Sequence, residues 1–252
     1  EKDYIAHLLR KNGNNISHAA REAEIDRKHF RKLMKKYELS AHGTDEPDEM
    51  RDYFVGNPGD NNVFDGRGGA REASQPFTDS DTVDYSQGGH FNAITVNLAT
   101  GLVNDGFLGT DTLINIEVVY GTAANDSMFG SDTSLAYTGL FTDRNERFRG
   151  NFGNDTIDGG SSAWGNQDTA DYGNFTQQVF ADLSTGTVFD AFEGADRLIN
   201  IDAVFGGSGN DNLYGGSNSR AYSGTLTESF RGGAGNDFID GRDGYDIADY
   251  SS

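Results

Sequence analysis

The chain has 252 residues, with 40 acidic and 20 basic side chains, no cysteine and a formal net charge of −20. The lack of cysteine excludes disulfides, thiolate zinc sites and cysteine nucleophiles. No uninterrupted apolar run of ~18 residues is available to span a membrane, and 34 glycines against three prolines, without a strict glycine period, exclude collagen and a proline-rich tail.

The charge is unevenly spread. Residues 1–39 hold ten Lys/Arg against six acids, whereas residues 40–252 hold ten Arg against 34 acids. No lysine follows Lys36, and only Gly13 of the glycines precedes residue 40. Such asymmetry predicts two domains with different partners. In the basic part, Tyr4, Ile5, Leu8 and Leu9 share one face of a first helix. Gly13 among Asn12, Asn14 and Asn15 ends it. Ser17 caps a second helix that turns Ala19, Ala20 and Ala23 inward, and Asp26 caps a third with Phe30, Leu33, Met34 and Tyr37 at helical spacing. That third helix exposes Arg27, Lys28, His29, Arg31, Lys32, Lys35 and Lys36. A basic face is most often merely solvated. Here, however, the string GNNISHAAREAEIDRKHFRKLMKKY resembles the Fis-type helix-turn-helix of bacterial enhancer-binding activators, over about residues 1–39. The sequence departs from that pattern at Ala23-Glu24, where Leu-Gly is usual. The resemblance implies a homodimeric DNA-binding module with the third helix in the major groove. Residues 40–52 (SAHGTDEPDEMRD) are polar and acidic and carry Pro47, so they read as a linker.

Residues 53–252 repeat. Asp111–Glu117 (DTLINIE) recurs as Asp196–Asp202 (DRLINID), and Asn97–Gly101 as Asp182–Gly186, both 85 residues on. Ala136–Gly139 recurs at Ala221–Gly224. Asp81-Thr-Val-Asp-Tyr85, Asp168-Thr-Ala-Asp-Tyr172 and Asp246-Ile-Ala-Asp-Tyr250 are one element, and the chain stops directly after its last copy, as a fragment of a longer array would. A nine-residue unit lies inside the long one. Its copies begin at Gly150, Gly206, Gly232 and Gly241, more loosely at Gly121, and in worn form at Asn57, with Asn62 where the others place Asp. This frame is similar to the G-G-x-G-x-D-x-U-x nonapeptide of RTX (hemolysin-type) calcium-binding repeats. The resemblance implies a mainly β fold, a parallel β-roll or β-solenoid, with six residues turning and three forming a strand whose middle residue (Ile157, Leu213, Ile239) points inward.

The residue types suit that chemistry. Glycine permits tight turns and frees carbonyls, and aspartate supplies a hard anionic oxygen. Ca²⁺ takes six to eight oxygens, more than one turn can give but within reach of two stacked turns. The candidate ligating turns contain Gly121 and Asp126; Gly150, Gly153 and Asp155; Asp168; Gly206, Gly207, Gly209 and Asp211; Gly232, Gly233, Gly235 and Asp237; and Gly241, Gly244 and Asp246. One such turn would be an ordinary solvated loop, but five in register imply several calcium ions. Because successive turns alternate edges, Asp211 is expected over Asp237 and Asp126 over Asp155. Glu146 and Glu228 should fall on the opposite edge, towards Asp168 and Asp246. Strands are expected at Thr95–Leu98, Leu113–Tyr120, Val179–Leu183 and Leu198–Phe205.

No enzyme is expected. An active site has no reason to recur every 85 residues, no GxSxG, HExxH or phosphate loop occurs, and His90 reads as a loop residue. No small-molecule substrate is implied. The repeats point to a secreted structural or adhesive module and the helices to a cytoplasmic regulator, a conflict that a fusion, natural or artificial, would resolve. Cytosolic calcium is far below the ~10⁻⁴–10⁻³ M at which extracellular calcium modules bind.

Overall fold

The computed structural model describes residues 2–11, 16–23, 25, 27–36, 52–66, 80–87, 91–131, 145–160, 167–190, 194–216 and 227–250. Three short helices, Lys2–Lys11 (α1), Ile16–Glu22 (α2) and Arg27–Lys36 (α3), share a core of Ile5, Leu8, Leu9, Ala19, Ala20, Phe30 and Met34. Phe30 is fully buried at the α2–α3 crossing, where the two alanines leave room for it. Tyr4 departs from expectation: it is 53% exposed, because its position lies beside the apolar stripe rather than in it. The expected Gly-Asn turn, the Ser17 and Asp26 caps, Tyr37 and the 40–51 linker lie outside the described residues or side chains.

Beyond the helices the chain winds as a roll between two sheets. Tyr53–Val55 (β1) lies in the first sheet, Val63–Asp65 (β2) in the second, and Thr82–Asp84 (β3) returns to the first. Thr95–Asn97 (β4), Leu102–Asn104 (β5) and Thr110–Ile114 (β6) all lie in the second. Single strands then alternate, first sheet before second: Val118–Tyr120 (β7) and Ser127–Phe129 (β8), then Arg147–Arg149 (β9) and Thr156–Asp158 (β10), then Thr169–Asp171 (β11). A second triplet follows in the second sheet: Phe180–Asp182 (β12), Thr187–Phe189 (β13) and Ala195–Ile199 (β14). Ala203–Phe205 (β15), Asn212–Tyr214 (β16), Ser229–Arg231 (β17), Phe238–Asp240 (β18) and Ile247–Ala248 (β19) resume the alternation. Every pair in the eight-stranded first sheet is parallel. The eleven-stranded second sheet is parallel except where each triplet folds back on itself antiparallel.

Three-residue strands have one inward position, and the middle residue takes it. Met128, Phe148, Ile157, Val204, Leu213 and Phe230 are wholly buried and form one continuous core with Val83, Val96, Val119 and Val188. Ile239 packs on that core while partly exposed. The expected strands 113–120 and 198–205 are each two strands in opposite sheets. Asn115 (φ 53°) and Asn200 (φ 56°) break them, asparagine being one of the few residues that tolerates the left-handed region. Ala136–Gly139, Ala221–Gly224 and His90 lie outside the described residues.

Candidate metal centres on the edges of the roll

Every passage between the sheets makes a turn, and turns of one direction stack on one edge. On the first edge, the turns after β7, β9, β15 and β17 begin at Gly121, Gly150, Gly206 and Gly232 and end at Asp126, Asp155, Asp211 and Asp237. On the second edge an acid precedes every first-sheet strand, Asp52, Asp81, Glu117, Glu146, Asp168, Asp202, Glu228 and Asp246 in chain order, and five of them, Asp81, Glu146, Asp168, Glu228 and Asp246, come up against a glycine.

One oxygen of these acids staples the stack. The Asp126 backbone N–H donates to Asp155 Oδ1 at 2.7 Å, and that of Asp211 donates to Asp237 Oδ1 at 2.9 Å. On the other edge Glu146 donates through its N–H to Asp168 Oδ1 at 3.1 Å, and Glu228 to Asp246 Oδ1 at 3.2 Å. The four acid pairs expected from turn parity are therefore stacked neighbours. The glutamates, which close the long turns, are nearly as buried as Asp126, Asp155, Asp168 and Asp211: Glu146 is 5% exposed and Glu228 3%, whereas Asp237 and Asp246 near the end of the stack are half-buried.

The second oxygen turns into a notch left by the glycine that opens the turn. A methyl group on Gly206 would overlap Asp211 Oδ2 and the Gly232 carbonyl of the next coil. The same pair of atoms, an acid oxygen and a carbonyl from the adjacent coil, meets at Gly121 (Asp126 and Gly150), Gly130 (Glu146 and Gly159), Gly159 (Asp168 and Asn200), Gly215 (Glu228 and Gly241) and Gly66 (Asp81 and Asn115). Glycine is required at these positions for space. None of Gly121, Gly150, Gly206, Gly232 and Gly241 has a positive φ, whereas Gly153 (120°), Gly233 (92°), Gly235 (117°) and Gly244 (142°) do. Gly207 and Gly209 are likewise tight for space, against the backbone of Phe175 and Gln177.

The notches concentrate anionic oxygen out of water. Asp155 is 1% exposed, and its Oδ2 has no hydrogen-bond partner. Burial, then the charge of Asp196, pushes its carboxyl up to about 8. Burial lifts Asp126 to about 6 and Glu228 to about 7, and it raises Asp211 as well. Buried carboxylates without cations are costly. A hard divalent cation suits them, since the notch donors are all oxygens. Among the described residues no three His, Cys, Asp or Glu side chains converge on one point, so each notch offers one acid plus main-chain carbonyls. That is the donor set of a calcium-binding repeat module.

Three segments, 142–163, 200–219 and 222–249, match the RTX calcium-binding nonapeptide repeat (4 copies). The chain matches none of the curated proteins. The matched segments contain Asp155, Asp211, Glu228, Asp237 and Asp246, and so include acids from both edges.

Sequence reasoning passed over Asp81, although it begins the same recurrent element as Asp168 and Asp246. The fourth residue of that element, also an aspartate, bonds to neighbouring side chains instead. Asp84 accepts from the Tyr53 hydroxyl, Asp171 binds Arg147 (2.6 Å) and Arg149 (2.5 Å), and Asp249 binds Arg231 (2.5 Å). The worn turn opens at Gly56, one residue before the expected Asn57, and holds an extra residue. Gly56 takes the Asp84 carbonyl as Gly121 takes that of Arg149, while Asn62 keeps the place of the aspartate. On α3, Lys28, His29, Lys32, Lys35 and Lys36 are exposed, and the side chains of Arg27 and Arg31 lie outside the description.

Proposed function

We propose that residues 53–252 form a calcium-loaded structural or adhesive segment of a secreted bacterial protein, a binding module rather than an enzyme. The observation that carries this reading is the recurrent notch in which a buried acid oxygen and the carbonyl of the next coil meet over a glycine. Asp126, Asp155, Asp211 and Asp237 would hold ions on one edge, and Asp81, Glu146, Asp168, Glu228 and Asp246 on the other. Calcium supplies the positive charge that lets these carboxylates stay ionised inside the stack. The chain's own part is to hold the turns in register through the backbone N–H to carboxylate bonds. Among the described residues no helix is long and apolar enough to cross a membrane.

Equilibrium dialysis with calcium tests this reading. The intact chain should bind several ions, and Asp237→Ala should lose one while loosening both its own turn and the 206–211 turn that it staples. A chain that binds no calcium at millimolar concentration would overturn it.

For residues 1–39 a second reading has its own support. The α3 face opposite Phe30 and Met34 carries Lys28, His29, Lys32, Lys35 and Lys36, all exposed. We read this face as a DNA-contacting surface, used as a homodimer, with Arg27 and Arg31 on the same helix. A duplex-binding assay should then show affinity falling about 10³-fold or more between 50 and 200 mM salt if some six phosphates are contacted. Lys28→Ala and Lys32→Ala should each weaken binding to every sequence alike. Binding indifferent to salt would sink this reading.

A further inference from the structure

Two coils on the first edge have no nonapeptide turn, and their edge is assembled from two separate pieces. The second half of the turn is supplied by the end of each antiparallel triplet. Ala195 N–H donates to Asn154 Oδ1 at 2.7 Å and Asp155 N–H to Asp196 Oδ1 at 2.8 Å. These bonds match Asn236 to Asn210 (2.8 Å) and Asp211 to Asp237 (2.9 Å) in the regular stack. A methyl on Gly194 would meet the Gly153 carbonyl, as one on Gly235 would meet that of Gly209. Gly194-Ala195-Asp196 thus stands for the last three residues of a nonapeptide turn. Gly109-Thr110-Asp111 does the same 85 residues earlier, with Thr110 N–H on Asn61 Oδ1 (2.7 Å) and Asn62 N–H on Asp111 Oδ1 (2.7 Å).

The first position of these two turns is taken by tyrosine. Tyr172 N–H donates to the Phe205 carbonyl (2.8 Å) and Tyr85 N–H to that of Tyr120 (2.8 Å), just as Gly206 donates to Arg231 (2.7 Å) and Gly121 to Arg149 (2.7 Å). Where glycine leaves a notch, the tyrosine side chain runs inward and is wholly enclosed, at 0% exposure for Tyr85 and 1% for Tyr172. Its hydroxyl donates to the acid oxygen that a regular turn aims at its glycine notch: Tyr172 to Asp196 Oδ2 at 2.9 Å, and Tyr85 to Asp111 Oδ2 at 3.0 Å.

We propose that Tyr85–Asp111 and Tyr172–Asp196 are metal-free locks, each with a phenol hydroxyl standing where the glycine-opened turns take a calcium ion. This assignment rests on the reading of the glycine notches as calcium sites. It divides the first edge into ion-held coils and tyrosine-held coils. The locks fall at the two places where the triplet prevents a regular turn, so these two contacts need no ion of their own, while the coils stacked on either side of them still do.

The test uses the full chain and calcium alone. Asp196→Asn keeps an oxygen for the Asp155 N–H, and it should bind the wild-type number of ions in equilibrium dialysis. Asp211→Asn should bind one fewer. Tyr172→Phe removes the donor and leaves Asp196 buried. Because the loss is spread over several cooperatively bound ions, it should raise the calcium midpoint for β structure about twofold. Tyr250→Phe, at an 86% exposed position, should leave the midpoint unchanged. An ion lost from Asp196→Asn, or an unmoved midpoint in Tyr172→Phe, overturns the assignment while leaving the other notches as calcium sites. A wild-type chain that binds no calcium overturns the reading of the notches and this assignment with it.

Discussion

Excess chelator should abolish the β signal of residues 53–250 and leave the helical signal of residues 2–36 in place. The two parts have separate cores, and among the described residues only the roll buries acids. Residues 40–252 carry 34 acids against ten arginines, and many of these acids are stacked at the edges of the roll. Without cations the stack must hold like charges at close spacing in a poorly hydrated setting. A ligand that binds only the folded state stabilises it by about 2.7 kcal/mol at a hundredfold excess over its Kd. Three or four such ions equal the whole stability of an ordinary domain, about 5–15 kcal/mol. Circular dichroism during calcium titration of the chelated chain should therefore show a cooperative gain near 218 nm over an unchanging helical contribution. Magnesium should be a poor substitute, because it demands near-ideal octahedral geometry and dehydrates reluctantly. A spectrum indifferent to chelator would remove the metal from the account of folding.

The residues that made the roll readable are those that repeat at fixed spacing. The nine-residue frame placed the inward Ile157 and Leu213 and the last acid of each turn. Alternation of edges then placed Asp211 on Asp237 and Asp126 on Asp155, as their hydrogen bonds show. What escaped was the fold-back inside each 85-residue unit. The segments 95–114 and 180–199 carry strand-like residues, but nothing in their pattern says that three strands occupy one sheet and step backward along it. The tight turn at Gly101 (φ 66°) and Gly186 (φ 64°) was visible only as a recurrent L-x-T-G. The tyrosine locks were illegible for a related reason. Tyr85 and Tyr172 are 26 and 24 residues from their aspartates, and the pairing appears only once the triplet has brought the two halves of a turn together. In the helical part the buried face follows the 3.6-residue period, so Ile5, Leu8, Leu9, Phe30 and Met34 could be named in advance, whereas Tyr4 at the rim could not.

Acidification should partly replace calcium. In the metal-free chain, burial holds Asp155 at about 8, Glu228 at about 7, and Asp126 and Asp196 at about 6. Unfolded, the same groups titrate near 4. Between pH ~4 and 8 the folded roll therefore binds more protons than the unfolded chain, so its stability falls as pH rises through that window. The penalty is absent below about pH 4 and complete above about pH 8, and every tenfold gain in a carboxyl's proton affinity on folding adds about 1.4 kcal/mol to it. Asp182 works in the opposite sense, since its hydrogen bonds with Arg242 hold it at about 2, but that stabilisation is lost only below about pH 4. The chelated chain should thus gain β signal as pH falls from 8 to 5.5, short of the isoelectric region near 4.4. With saturating calcium the slope should reverse, because the metal displaces the protons of Asp126, Asp155 and Glu228 and binds more weakly as they return. Adding calcium to an unbuffered sample at pH 6.5 should release protons, and Asp155→Asn should release fewer. A chelated chain whose β signal is flat from pH 8 to 5.5 would show that these carboxyls are not buried and protonated in the metal-free roll.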